Sequence, residues 1–164
     1  PIALIRSRAG RRSKELNSSA ISKESAMAAS EGRPRYNFAT EHSYDPPLEV
    51  ALPAPLVAGN EQAFVTSLPQ PPNGDQADQA FFYRLNSDEV VGYFNRCTHI
   101  SVPLDFDDGR FLNGQGFIMC RLHGAMYELE TGLRCAGPAT TNLTRVLCEA
   151  NETVLKIFGW RKVR

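Results

Sequence analysis

The sequence predicts an all-β domain, built of antiparallel strands, behind a basic N-terminal extension. From residue 48 onward, short apolar runs rich in β-branched and aromatic residues recur between turn signals. No segment of that region combines a helical period with helix caps. Many short strands at such spacing are typical of a β-sandwich or a β-barrel.

The first predicted strands follow a proline-rich segment. Prolines 46, 47, 53 and 55 indicate a linker or an edge segment. Residues 62–68 are a predicted strand that ends at Pro69, and a turn follows at residues 71–74. Residues 80–85 and 89–95 are predicted to form a hairpin around a tight turn.

The remaining strands are short and again come in pairs. After an acidic loop at residues 105–109, residues 116–120 are a predicted buried strand. Residues 126–128 and 132–134 flank a turn at Thr131-Gly132. The last predicted hairpin joins residues 144–148 to residues 153–158.

Residues 1–47 differ from the rest in composition and are predicted to be a disordered or partner-docking extension, with the domain spanning residues 48–164. Residues 1–35 carry eight basic and three acidic side chains, whereas residues 36–164 carry ten and fifteen. An acidic domain argues against nucleic-acid binding.

The sequence also predicts where the protein is located. No run of 18 apolar residues exists, so no transmembrane helix is expected, and no secretory signal is recognised. The expected compartment is the cytoplasm. The alternative is the mitochondrial matrix, with residues 1–26 as a transit peptide.

Two Cys/His pairs carry the candidate chemistry. Cys97 and His99 form a C-x-H pair, and Cys120 and His123 form a C-x-x-H pair, each directly after a predicted strand. A zinc site could use these four residues, although zinc sites usually pair like ligands in sequence. A 2Fe–2S cluster with thiolates on one iron and imidazoles on the other explains the interleaving better. A Cys/His catalytic dyad is a third option, and side chains without a metal role are a fourth.

With these pairs in place, the chain resembles the Rieske-type 2Fe–2S proteins over roughly residues 60–160, especially small bacterial Rieske ferredoxins. Residues 95–99 and 120–127 are similar to the family's two cluster-binding boxes, and residues 137–139 to its proline loop. The resemblance implies an antiparallel β-sandwich with a small cluster-binding subdomain of two loops. It also implies the ligands: Cys97 and Cys120 on the inner iron, His99 and His123 on the outer one.

Departures from the family pattern affect the expected reduction potential and exclude some of the family's functions. The extra Cys of the respiratory members is missing from both boxes, and Ala125 stands where those members have a serine whose hydroxyl donates to a cluster sulfur. Tyr127 keeps the family's tyrosine position. Fewer hydrogen bonds to the cluster favour the low end of the Rieske range, about −150 mV rather than about +300 mV. The only other histidine, His42, cannot build an oxygenase's mononuclear iron site.

Several side chains near the boxes are predicted to have no cluster role. Cys135 and Cys148 are expected to be packed thiols, and His42 is expected to be solvated. The run containing Asp105, Asp107 and Asp108 is expected to be a solvated turn.

Gly124, in the second box, is expected to need an unusual backbone angle or a close approach to the cluster.

The predicted function is that of a one-electron carrier between a reductase and a terminal oxidoreductase or oxygenase, without bond-making catalysis of its own. Two alternatives stay open at the level of sequence. One is an accessory or assembly subunit docked through the N-terminal extension. The other is a zinc-stabilised module.

Overall fold

The computed structural model describes residues 39–164, so the predictions that concern residues 1–38 lie outside the described part of the chain. Residues 39–164 form nine β-strands and no helix. In chain order the strands are β1 (Glu41–Ala51), β2 (Phe64–Pro69), β3 (Ala77–Arg84), β4 (Val90–Phe94), β5 (Ile118–Met119), β6 (Met126–Tyr127), β7 (Arg134–Ala136), β8 (Thr144–Ala150) and β9 (Val154–Lys162). The all-β prediction is confirmed.

Six strands form a curled antiparallel sheet in the order β1-β9-β8-β4-β3-β2. Its two edge strands approach each other, since the Tyr44 hydroxyl of β1 donates to the Pro69 carbonyl of β2 at 2.7 Å. The indole nitrogen of Trp160 on β9 donates to the Gln70 carbonyl at 2.9 Å, close to the same edge. These two bonds tie the ends of the sheet together.

A second antiparallel sheet, in the order β5-β6-β7, lies in the chain between β4 and β8. β4 and β8 are themselves neighbours, through the pairs Gly92–Val146 and Tyr93–Arg145. The chain therefore leaves the large sheet after β4, builds the small sheet and returns beside the strand it left.

Both faces of β3 and β4 are covered, which explains the uninterrupted burial of β4. Phe82 and Phe94 point to the inside of the curled sheet, where they pack in one core with Trp160. Phe81 and Tyr93 point the other way and belong to a second core beneath the small sheet. Side chains alternate across a strand, so one pair of strands supplies both cores.

β1 is the element that the sequence does not predict. It begins at Glu41, so residues 41–47, assigned from the sequence to the N-terminal extension, form part of the large sheet. The register with β9 shifts between Ser43 and Leu48, around the two prolines at positions 46 and 47. Proline cannot donate to a ladder and is tolerated at bulged edge strands, and β1 is such a strand.

The other predicted strands are present with shifted ends. Residues 116–120 shorten to β5, whereas the last hairpin extends to Ala150 and Lys162. No helix able to cross a bilayer occurs among residues 39–164.

Candidate metal centre

Two loops carry the candidate ligands, and backbone hydrogen bonds close each of them. In the first loop, after β4, the Cys97 amide donates to the Val102 carbonyl at 2.8 Å. In the second loop, between β5 and β6, the Cys120 amide donates to the Ala125 carbonyl at 2.8 Å. The loops also meet, because the Arg121 amide donates to the Leu104 carbonyl at 3.0 Å.

Cys97 and Cys120 form a buried pair of free thiols, with 3% and 0% of their surfaces exposed. Burial is the main cause that raises the pKa of the Cys120 thiol, and the neighbouring Cys97 raises it further. Backbone amides of Leu122 and His123 act the other way, because they donate towards the Cys120 sulfur. A cation bound at this pair would favour both thiolates, since the thiolate is the form that binds metal.

His99 and His123 form a second pair, on the same two loops as the thiols. Their ring centroids lie 5.2 Å apart and their planes are nearly perpendicular, at 81°. His123 is exposed, whereas His99 is half-buried. Nδ1 of His99 is buried and has no hydrogen-bond partner. A buried polar nitrogen without a partner is costly, and a metal ligand role would remove that cost.

Among residues 39–164, no three His, Cys, Asp or Glu side chains gather closely enough to hold one metal ion. The four candidate ligands instead form two pairs of unlike chemistry, thiols and imidazoles. A dinuclear cluster in which each iron takes two protein ligands of one kind needs such an arrangement.

Tyr127 lies under the first loop and is fully buried. Its hydroxyl is 3.8 Å from the Cys97 sulfur, and it accepts the Thr98 amide at 3.2 Å. Burial raises the pKa of Tyr127, so the phenol keeps its proton at neutral pH. The predicted tyrosine position is therefore next to the thiol pair.

The proline loop after β7 covers both ligand loops. The Thr140 hydroxyl donates to the Thr98 carbonyl at 2.5 Å, and the Thr98 hydroxyl donates to the Thr141 carbonyl at 2.8 Å. Gly137 lies against the backbone of Gly124, which has a φ of +73°. The unusual backbone angle predicted for Gly124 is confirmed.

A buried polar pair, which no sequence pattern indicates, supports the first loop. Asn95 donates to the Asp105 carboxylate at 2.9 Å and accepts the Leu104 amide at 2.7 Å. The second oxygen of Asp105 accepts the Gly109 amide at 3.0 Å. Asp105 is only 5% exposed, so its prediction as part of a solvated turn is wrong, although Asp107 and Asp108 are exposed.

The rim of the site combines apolar and charged groups. Ile100 and Leu122, each next to a histidine in the sequence, are exposed. The Arg121 guanidinium pairs with Asp108 at 2.5 Å and lies 4.6 Å from the ring centroid of Phe106. A charged group is thus fixed beside exposed apolar side chains.

Two further predictions are wrong. Cys135 is exposed rather than packed, because β7 is an edge strand whose three residues are all exposed. His42 lies on β1 rather than in a solvated tail, and its ring contacts Tyr44 and Trp160. Cys148 does pack against the core of the large sheet, as predicted.

The comparisons with known proteins agree with this geometry. A family model described as the Rieske [2Fe-2S] domain matches residues 62–151, which include both Cys/His pairs and Tyr127. No curated protein matches the chain.

The residues fit the cofactor that this family implies. Two buried thiols, a paired set of imidazoles and an unpartnered buried ring nitrogen supply the donor set of a mixed-ligand cluster. The chain belongs to the Rieske [2Fe-2S] family, and its cofactor is a Rieske-type 2Fe–2S cluster.

Proposed function

We propose that the protein is a one-electron carrier that passes electrons from a reductase to a terminal oxidoreductase or oxygenase. In this proposal Cys97 and Cys120 bind one iron of the cluster, and His99 and His123 bind the other. The bound cluster supplies reversible one-electron chemistry. The observation that carries the proposal is a pair of buried thiols and a pair of imidazoles, one of them exposed, on the same two loops.

The exposure of His123 supports the role of a carrier. An electron that leaves through an exposed ligand crosses little protein to reach a partner. Ile100 and Leu122 flank the two histidines and are 39% and 48% exposed, so a partner that docks there would displace water from apolar surface.

A low reduction potential is expected, because Ala125 stands in place of the serine donor of the respiratory members. Ala125 is completely buried and its methyl group can donate no hydrogen bond. Hydrogen bonds to cluster sulfurs favour the reduced, more negative state, so their absence lowers the potential. A low-potential carrier suits transfer from a reductase to an oxygenase.

The test begins with the purified full-length protein. We expect iron and sulfide in equal amounts, visible absorption that bleaches on reduction by dithionite, and an EPR signal of low average g from the reduced protein. A colourless protein that contains stoichiometric zinc would overturn the cluster assignment.

Electron transfer is tested separately with the reduced holoprotein and oxidised cytochrome c in stopped flow. One electron should leave per cluster, and the rate should depend on substitution at Ile100 or Leu122 without a change in potential. If both substitutions leave the rate unchanged, the electron does not leave through the histidine rim.

A further inference from the structure

A groove of about 410 Å³ at the end of β9 differs in charge from the rest of the domain. Four basic side chains and one acidic side chain, Glu41, line it; the basic ones are Arg145, Arg161, Lys162 and Arg164. Residues 36–164 as a whole carry ten basic and fifteen acidic side chains. This basic groove is therefore a positive surface on a negatively charged domain.

Ion pairs leave most of the charge in the basic groove uncompensated. Arg145 pairs with Glu89 at 2.6 Å. Within the described part of the chain, Arg161, Lys162 and Arg164 form no ion pair, and all three are exposed. Exposed cations without a counter-charge attract an anionic partner, and the attraction falls as the salt concentration rises.

Lys162 connects the basic groove to the first ligand loop. It also lines a neighbouring cleft of about 410 Å³, together with Cys97, Thr98 and His99. The other two charged side chains of that cleft, Arg96 and Asp78, pair with each other at 2.7 Å. An anionic partner that binds Lys162 therefore lies against the loop that carries two of the candidate ligands.

The charge of the groove favours one kind of occupant. The chain's own residues 1–35 carry eight basic and three acidic side chains, so they do not complement a basic surface. A nucleic acid would extend beyond the groove, and the acidic remainder of the domain would repel its phosphates. A protein with surface carboxylates matches the groove, because its negative charge can be confined to one patch.

We propose that the basic groove is a docking surface for an acidic redox protein, which exchanges one electron with the cluster beside the first ligand loop. The inference rests on the proposed function as an electron carrier. A carrier meets both a donor and an acceptor, and the groove differs in chemistry from the exposed apolar side chains of Ile100 and Leu122. In the transfer one electron leaves the reduced cluster and reduces the partner's oxidised metal, with no other reactant.

The test measures how fast the reduced full-length holoprotein passes its electron to oxidised plastocyanin, an acidic copper protein, in stopped flow. At about 0.1 M salt, where charges act over about 10 Å, Lys162→Glu should lower the rate constant about threefold to tenfold. Lys162→Gln removes one charge instead of reversing it and should lower the rate constant less. At about 1 M salt the variants and the wild-type protein should react equally fast.

The matched control is Lys156→Gln, which removes the same charge from the same strand as Lys162→Gln. The two positions are six residues apart, about 20 Å at about 3.3 Å per residue, so this variant should react like the wild-type protein. Driving force acts in the opposite direction to docking. Loss of a cation near the cluster lowers the reduction potential, which would speed electron donation rather than slow it.

A second probe of opposite charge completes the comparison. Oxidised cytochrome c, which is basic, should react no more slowly with Lys162→Glu than with the wild-type protein. Fluorescence anisotropy with a single-stranded DNA oligonucleotide should show no binding. If the oligonucleotide binds the wild-type protein and Lys162→Glu abolishes that binding, the groove is a nucleic-acid site and the proposal is wrong.

An unchanged rate with plastocyanin in Lys162→Glu at about 0.1 M salt would also overturn the proposal. So would an equal loss in Lys156→Gln and Lys162→Gln, since net charge would then explain the effect without the groove. A loss that persists at about 1 M salt would point to altered structure instead of docking. Failure of the proposed function looks different, because the wild-type protein itself would then lack the cluster spectrum or pass no electron to either probe.

Discussion

Gly137 of the proline loop lies so close to Gly124 of the second ligand loop that a Cβ on Gly137 would stand 2.2 Å from the Gly124 carbonyl oxygen. Both glycines have a positive φ, +74° and +73° respectively. They differ in space, since a Cβ on Gly124 would meet nothing within 4 Å. Substitutions at these two glycines therefore distinguish the cost of backbone strain from the cost of close packing.

The first prediction uses this difference. Gly124→Ala should cost about 1–2 kcal/mol of unfolding free energy, through left-handed strain alone. Gly137→Ala adds a backbone clash worth about 1–3 kcal/mol more and should push the proline loop off the ligand loops. Chemical denaturation and the rate of cluster loss to a chelator measure the two effects. Equal losses in the two variants would show that the close approach has no energetic role.

The second prediction concerns the ligands. His99→Ala and His123→Ala should each lose the cluster spectrum and bound iron, because the third imidazole of the chain, His42, contacts Tyr44 and Trp160 on the large sheet. His42→Ala is the matched control and should keep the spectrum. A wild-type spectrum in either of the first two variants would remove that histidine from the ligand set.

The third prediction is that a disulfide reagent labels one thiol in the native holoprotein at pH 8. Cys135 is exposed, whereas burial raises the pKa of the Cys148 thiol from 9.0 to about 12. At pH 8 about one Cys148 side chain in ten thousand is then a thiolate, the reactive form. Under the proposed ligand assignment, Cys97 and Cys120 bind the cluster and are protected.

The control for this experiment is Cys135→Ser, which should abolish labelling, while Cys148→Ser should not change it.

The raised pKa of the Cys148 thiol also has a consequence for stability. The neutral Cys148 thiol stabilises the fold below pH 9, and that contribution is lost as the pH rises from 9.0 to about 12. Fast labelling of Cys148 at pH 8 would contradict its burial.

The fourth prediction compares two truncations. Removal of residues 1–47 deletes the first part of β1, including the buried Tyr44 and its bond to Pro69. Removal of residues 1–38 leaves β1 whole. The protein that lacks residues 1–47 should therefore unfold at a lower denaturant concentration. Its free energy of unfolding should fall by about 1.5–3 kcal/mol, the contribution of burying one large apolar side chain. Identical midpoints would mean that residues 41–47 do not stabilise the sheet.

The sequence predicts the parts of this molecule that depend on local pattern. The hairpins around residues 86–88 and 131–132 follow from turn residues between apolar runs, and the family follows from two short motifs. β1 was missed because Pro46 and Pro47 interrupt its pattern, whereas seven pairs with β9 compensate for them in the fold.

Other features depend on contacts between residues that are distant in sequence, and no local pattern predicts them. Asp105 is like its exposed neighbours in sequence. It is a buried acceptor because Asn95, ten positions earlier, and the Gly109 amide both donate to it. Thr98 is in contact with Thr141 because the proline loop returns over the first box, 43 positions later. Hydrogen-bond networks of this kind become visible only when the chain has folded.

Because the small sheet is inserted between β4 and β8, folding of the large sheet and insertion of the cluster can be separate events. All backbone pairings of the six-stranded sheet are made by strands outside residues 95–143. The ligand loops can therefore open as a subglobal unit, at the expense of exposing the outer faces of Phe81 and Tyr93, while the large sheet stays paired. Hydrogen exchange in the apoprotein should then be fast in the insertion and slow in β3, β4, β8 and β9. Cofactor delivery needs only a local opening of the chain, so a cluster can be inserted into, or replaced in, a scaffold that has already folded.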